Sequence, residues 1–117
     1  MSENVARSIR VEVIMPASAS SFSGARLIAR LDDVTMLDVP ARTLAQLEVR
    51  DVSHRQGSET RVPLELLFAE TDASLAVNVH ITVDSDDAFH HGDLINVQSY
   101  PVRSSETSCV EVRVRGI

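Results

Sequence analysis

The sequence predicts an all-β fold, an antiparallel β-sandwich of seven to eight strands in a single domain. Three observations carry that prediction. Apolar and polar residues alternate with a period of two along most of the chain, as they do on strands with one dry and one wet face. Turn-rich stretches punctuate these runs at intervals of roughly 8–15 residues. Aromatic residues make up only 3 % of the chain, so its interior must be built from Val, Leu and Ile, which favour strands.

The elements follow in order. "IRVEVIM" sets Ile9, Val11 and Val13 against Arg10 and Glu12. "ARLIARL" places Ala25, Leu27, Ala29 and Leu31 on one face, with Arg26, Ile28 and Arg30 on the other. "QLEVRDV", from Gln46 to Val52, is a further strand. "TRVPLELLF" opposes Val62, Leu64, Leu66 and Phe68 to Arg61, Pro63, Glu65 and Leu67. Proline has no N–H for a ladder, so Pro63 marks a sheet edge or a strand start. "LAVNVHITV" sets Leu75, Val77, Val79, Ile81 and Val83 against Ala76, Asn78, His80 and Thr82. A weaker strand, "LINVQS", runs from Leu94 to Ser99. "CVEVRVR" closes the series with Val110, Val112 and Val114 inward. One-sided burial of this kind belongs to antiparallel sheets packed face to face, and a closed barrel is the alternative. Residues 1–7 read as a flexible N-terminus, and 8–117 as the domain.

Between Leu31 and Leu47 the period is lost. "DVPARTLAQL" has Pro40 and Asp38 where a helical turn could begin, but too few residues follow for a helix. This stretch reads as an ordered loop with at most one helical turn. Its aspartates, Asp33 and Asp38, read as turn and cap residues whose carboxylates accept backbone N–H groups.

Composition excludes several functions. The net charge is −6, with eleven basic residues, every one an arginine, so a nucleic-acid partner would need a basic patch that the sequence lacks. Without lysine there is no Schiff base and no lysine of a phosphate-binding loop. The one cysteine, Cys109, cannot form an internal disulfide and reads as a small buried thiol at a strand start. No run approaches the roughly 20 apolar residues of a membrane span, so no membrane insertion is expected. The first residues, "MSENVARSIRVEV", lack a basic end followed by an apolar core, so the chain as it stands reads as cytoplasmic. A removed leader would make it periplasmic or bound to the outer membrane.

Two blocks carry a family resemblance. In "ARLIARLDDVTMLDVPARTLAQLEV", Leu31, Asp33-Val34-Thr35 and Asp38-Val39-Pro40-Ala41 follow a strand and precede another. In "VPLELLFAETD" and "AVNVHITVDSDDAFHHGDLINVQSYPV", Phe68, Gly92, Pro101 and Val102 punctuate the later strands. These blocks resemble the YbaY/YscW lipoprotein family, named for the pilotins of type III secretion. The resemblance spans about Ile9 to Val114. It implies a small β-sandwich of prealbumin- or immunoglobulin-like look, with a binding or chaperone role and no chemistry. The chain departs from the family in having no signal peptide and no N-terminal lipobox cysteine, since Cys109 lies at the other end.

No catalytic set stands out. The sequence has no Gly-x-Ser-x-Gly elbow and no glycine-rich phosphate loop. His80, mid-strand, and His54, before Arg55, read as exposed or partly covered side chains without an orienting partner. The acidic segment "DSDDAFHHGD" offers Asp84, Asp86, His90 and His91 as weak metal ligands, but Phe89 and Ile95 stand where a calcium loop needs Gly and Glu. A solvated hairpin tip is the simpler reading. Ile28 and Leu67 are apolar on polar faces and, if their strands are neighbours, would form a patch with Ile14 or Met36 for a protein partner or a homo-oligomer. The expected function is a non-catalytic binding or accessory module, not an enzyme, that needs no cofactor. It would engage another polypeptide or self-associate. The alternative is a small-ligand or divalent-metal module using the 84–93 hairpin.

Overall fold

A computed structural model describes residues 6–35, 42–83, 93–96, 100–102 and 109–116. Their alternating segments form strands β1 (Ala6–Met15), β2 (Phe22–Asp33), β3 (Arg42–His54), β4 (Thr60–Ala69), β5 (Leu75–Thr82), β6 (Leu94–Asn96), β7 (Tyr100–Val102) and β8 (Cys109–Gly116). β1 thus starts ahead of the boundary read from the sequence, and Arg7 is tied to Glu70 at 2.7 Å.

The strand order is β3-β2-β5-β6-β8-β1-β4, with β7 also beside β5. The result is a mixed sheet nearly closed into a barrel, rather than two separate antiparallel sheets. The difference lies in β8. Cys109 to Arg113 pair with β1 in parallel, whereas Val114 to Gly116 pair with β6 antiparallel. One strand therefore belongs to both halves and fuses them along one side. Parallel neighbours need a long crossover, which the rest of the chain provides, and local alternation says nothing about strand direction.

Period-two burial builds the interior. Val11 and Val13 of β1, Leu27 and Leu31 of β2, Val77 and Ile81 of β5, and Val112 of β8 are 1 % exposed or less. Each such side chain contributes about 1.5–3 kcal/mol on leaving water. Ile14, on the outer face of β1, is buried as well. Its register neighbours are Arg61 and Arg113, whose long stems can lie over it.

The β2–β3 ribbon is bent by three bulges. Ser23 and Gly24 oppose Ser53, Arg50 and Asp51 oppose Arg26, and Leu44 is an extra residue between Ala45 and Thr43. Gly24 and Asp51 take the left-handed conformation, with φ of 67° and 57°, that such bulges need. The Leu44 bulge explains the lost period. β2 runs on through Asp32 and Asp33, and β3 starts at Arg42, so residues 42–47 are strand and not a loop or helical turn. Asp38 lies outside the described residues. Asp33 does cap a turn: its carboxylate accepts the Thr35 N–H at 2.9 Å. Hydrogen bonds from the Thr35 hydroxyl and N–H, with Arg42 nearby, hold its carboxyl below the usual range.

β3 and β4 are joined by a turn in which Ser58 N–H donates to the Arg55 carbonyl and Gly57 has φ 97°. Gly57 N–H donates to the Ala17 carbonyl, and Gln56 N–H to the Ser21 hydroxyl, so this turn is fixed to the β1–β2 loop. His54 completes the joint. It is 5 % exposed, contrary to its reading as a surface loop residue. A carbonyl can only accept, so Nε2–H donates to Ala19 and Nδ1 accepts the Thr60 hydroxyl.

Candidate functional site

The barrel is unsealed between its two end strands, β3 and β4. β3 and β4 end the strand order, each pairs with one neighbour, and no pairing joins them among the described residues. Their inward side chains are only partly covered: Leu44, Ala45 and Val49 on β3, and Val62 and Leu64 on β4. The exposed large hydrophobics found among the described residues, Leu47 (37 %) and Leu67 (68 %), also lie on these two strands. Leu47 stands opposite Ala29 in register, on the inner face, so its exposure measures the opening itself. Leu67 faces outward.

Pro63 distinguishes the two edges. The β1–β4 register runs unbroken from Ala6/Ala69 to Met15/Thr60 through Pro63. A proline is accommodated in a strand when its nitrogen faces the open side. β4 is thus an edge strand, as its sequence suggests, and one with a donor missing from its free side. β3 has no proline over its 13 residues. Its open side offers complete N–H and C=O groups.

The outer face of β2 and β5 carries a buried polar cluster. Asp32, 4 % exposed, accepts the Thr43 hydroxyl at 2.8 Å and the Asn78 amide at 2.7 Å. Asn96 accepts Val79 N–H at 2.8 Å and donates weakly to Asn78 at 3.4 Å. His80 Nε2–H donates to Asp93 at 2.9 Å, and Asp93, fully buried, also accepts Val83 N–H. His80 therefore has the orienting partner that the sequence did not reveal. Beside it is a shallow hollow of about 170 Å³ lined by Arg30, Asn78, Val79, Ile95 and Asn96. Among the described residues, no hydroxyl or thiol lies in that lining to serve as a nucleophile. The cluster has a structural effect, since Asp93 ties Val83, after the end of β5, to the start of β6.

A third feature is an open groove of about 500 Å³ on the outer face of β4, β1 and β8, lined by Arg10, Glu12, Pro63, Glu65 and Cys109 among others. Cys109 is exposed there, not buried. Alternation explains it: Val110, Val112 and Val114 take the inward positions, and Cys109 shares the outer row with Arg10. Nearby, Arg61 is held by Glu12, by Glu59 at 2.7 Å and by Glu111 at 3.7 Å, and the hydrogen bonds to Glu12 and then Glu59 raise its pKa.

Ile28 is on β2 and Leu67 on β4, strands that are not neighbours, so the two do not form one patch. Met36 lies outside the described residues, as do Asp84, Asp86, His90 and His91. No group of three or more His, Cys, Asp or Glu side chains placed to hold a metal occurs among the described residues. Sequence reasoning missed Leu47, which lies in the segment read simply as a strand from Gln46 to Val52. Only the strand order reveals that nothing covers it.

No protein-family model matches the chain, and no curated protein matches it in sequence. The fold does match a solved structure, an alternative pilotin from the type II secretion system of Vibrio cholerae. The chain shares a pilotin fold. The match covers 97 % of this chain and 98 % of that one, with a TM-score of 0.73 at 19 % identity. Identity at that level establishes architecture alone: it supports a pilotin-like fold, while no family model ties the chain to the YbaY/YscW family that its sequence resembles.

Proposed function

We propose that this protein is a non-catalytic accessory module that holds another polypeptide, in the manner of a pilotin serving a secretion system. The observation that carries the reading is the unsealed β3–β4 side, where the exposed Leu47 and Leu67 lie on two edge strands. Exposed apolar side chains beside unpaired backbone groups suit capture of a polypeptide segment by strand addition or apolar packing. The likeness to a type II secretion pilotin supports the same reading and favours a secretion apparatus as its setting. The rival reading, a cation site in the 84–93 segment, gains no support from Asp93, whose oxygens are turned to His80 and Val83.

A photo-crosslinking residue placed at Leu47, at Leu67, or at Arg115 on the far side tests this in the native cell. The expected result is one defined adduct with a second polypeptide from position 47 or 67 and none from 115. Equal adducts from all three positions, or none from any, would overturn it.

A further inference from the structure

We infer that the free side of β3 pairs antiparallel with the β3 of a second copy of this chain. This deepens the reading above by assigning an occupant to the receptive edge. The choice of edge follows from the backbone. Pro63 takes a donor from the free side of β4, whereas β3 has a full set. A strand whose free side carries no proline is a template for another strand, and between its bulges at Leu44 and at Arg50 and Asp51, β3 keeps a regular register from Ala45 to Val49.

The choice of occupant follows from charge. Glu48 and Arg50 sit two residues apart on one face of β3, in contact at 2.7 Å within the strand. Antiparallel self-pairing centred on Val49 sets Val49 against Val49 of the second copy. The same register places Glu48 opposite Arg50 of the second copy, and does so twice by symmetry. Leu47, on the face of Val49, then lies diagonally across from the second Val49, and its exposed surface is covered. The strand carries Arg42, Glu48, Arg50 and Asp51, so its charges sum to zero and it does not repel itself. An edge that supplies both halves of each ion pair fits its own copy.

Sedimentation velocity over a concentration series tests the inference. The wild-type chain is expected to sediment as a dimer at high concentration and to dissociate on dilution. Arg50→Glu, at a side chain 79 % exposed, sets carboxylate against carboxylate at both symmetric sites and should weaken the dimer about tenfold. Glu48→Arg combined with Arg50→Glu restores opposite charges and should recover most of the loss. Leu47→Arg should also weaken the dimer, while Leu67→Arg on β4 should leave it unchanged. Far-UV circular dichroism checks that each variant is folded. If the double charge swap does not fold, the wild-type, Arg50→Glu and Leu67→Arg results decide the matter. A chain that is monomeric throughout overturns the inference, as does a dimer indifferent to Arg50→Glu and Leu47→Arg or broken by Leu67→Arg. A monomer that still gives crosslinked adducts at position 47 or 67 would remove the self-pairing and leave the accessory role standing.

Discussion

The two sides of this barrel are closed by different means. On one, β8 gives its first half to β1 and its second half to β6, and its inward valines, Val112 and Val114, are 0 % and 3 % exposed. On the other, β3 and β4 are adjacent in sequence yet unpaired among the described residues, and Leu47 is 37 % exposed. Both sides use the same aliphatic alternation. What separates them is backbone pairing: the sealed side is held by ladders and the open side by one pinned turn. Backbone pairing concentrates on the first, and the proposed binding falls on the second.

That contrast breaks if truncation costs the same on both sides. Leu31→Ala, in the sealed interior, should cost about 2–5 kcal/mol in a denaturant titration. Leu47→Ala, on the open side, should cost well under ~1.5 kcal/mol while weakening any complex formed there. The next effect is at Asp93. Replacement by Ala removes a buried acceptor from His80 and from Val83 N–H and should cost about 1–3 kcal/mol for each group affected. It should also raise amide exchange at Val83. Smaller again is Gly24→Ala in the bulge of the β2–β3 ribbon. A Cβ there meets no neighbour, so the expected cost of about 1–2 kcal/mol comes from the left-handed backbone alone. Thermal melts compared with Gly116→Ala, where space is open and the backbone ordinary, isolate it.

The smallest effect is electrostatic. Asp33 should titrate below the ordinary value of ~3.9 in an NMR pH series, because Thr35 hydrogen-bonds its charged form. The sign follows from the depressed folded pKa. The contribution is present above the ordinary unfolded value and is lost as pH falls through the lower folded one. Thr35→Ala removes the hydroxyl donor but keeps the N–H, so it should move the titration part of the way back.

The strands were legible because each carries its own alternation. Ile9-Val11-Val13 and Val77-Val79-Ile81 need no partner to announce a buried face. Pro63 even announced an edge, since a missing N–H is a local fact with a positional meaning. The start of β3 was hidden because Leu44 bulges out of register and breaks the period that would have marked it. β7 was too short to register as a strand. The parallel β1–β8 pair was illegible in principle, because direction is decided between segments almost a chain length apart. His54, Asp93 and Cys109 failed for a related reason. Each was read from its neighbours in sequence, whereas its exposure is set by a distant loop, a facing histidine or the parity of a strand. Leu47 is the same case in reverse, an inward residue with no opposite sheet above it.

The shared strand β8 has a consequence for biogenesis. β1 leaves the ribosome ahead of the other seven described strands, and its parallel neighbour β8 follows the other seven. Until residues 109–116 emerge, β1 has only β4 beside it, and β6 has only β5. Ladders joined across such a separation close slowly, because the loop entropy is lost before the contacts form. Until β8 emerges, the nascent chain is therefore an incomplete sheet with aliphatic surface uncovered.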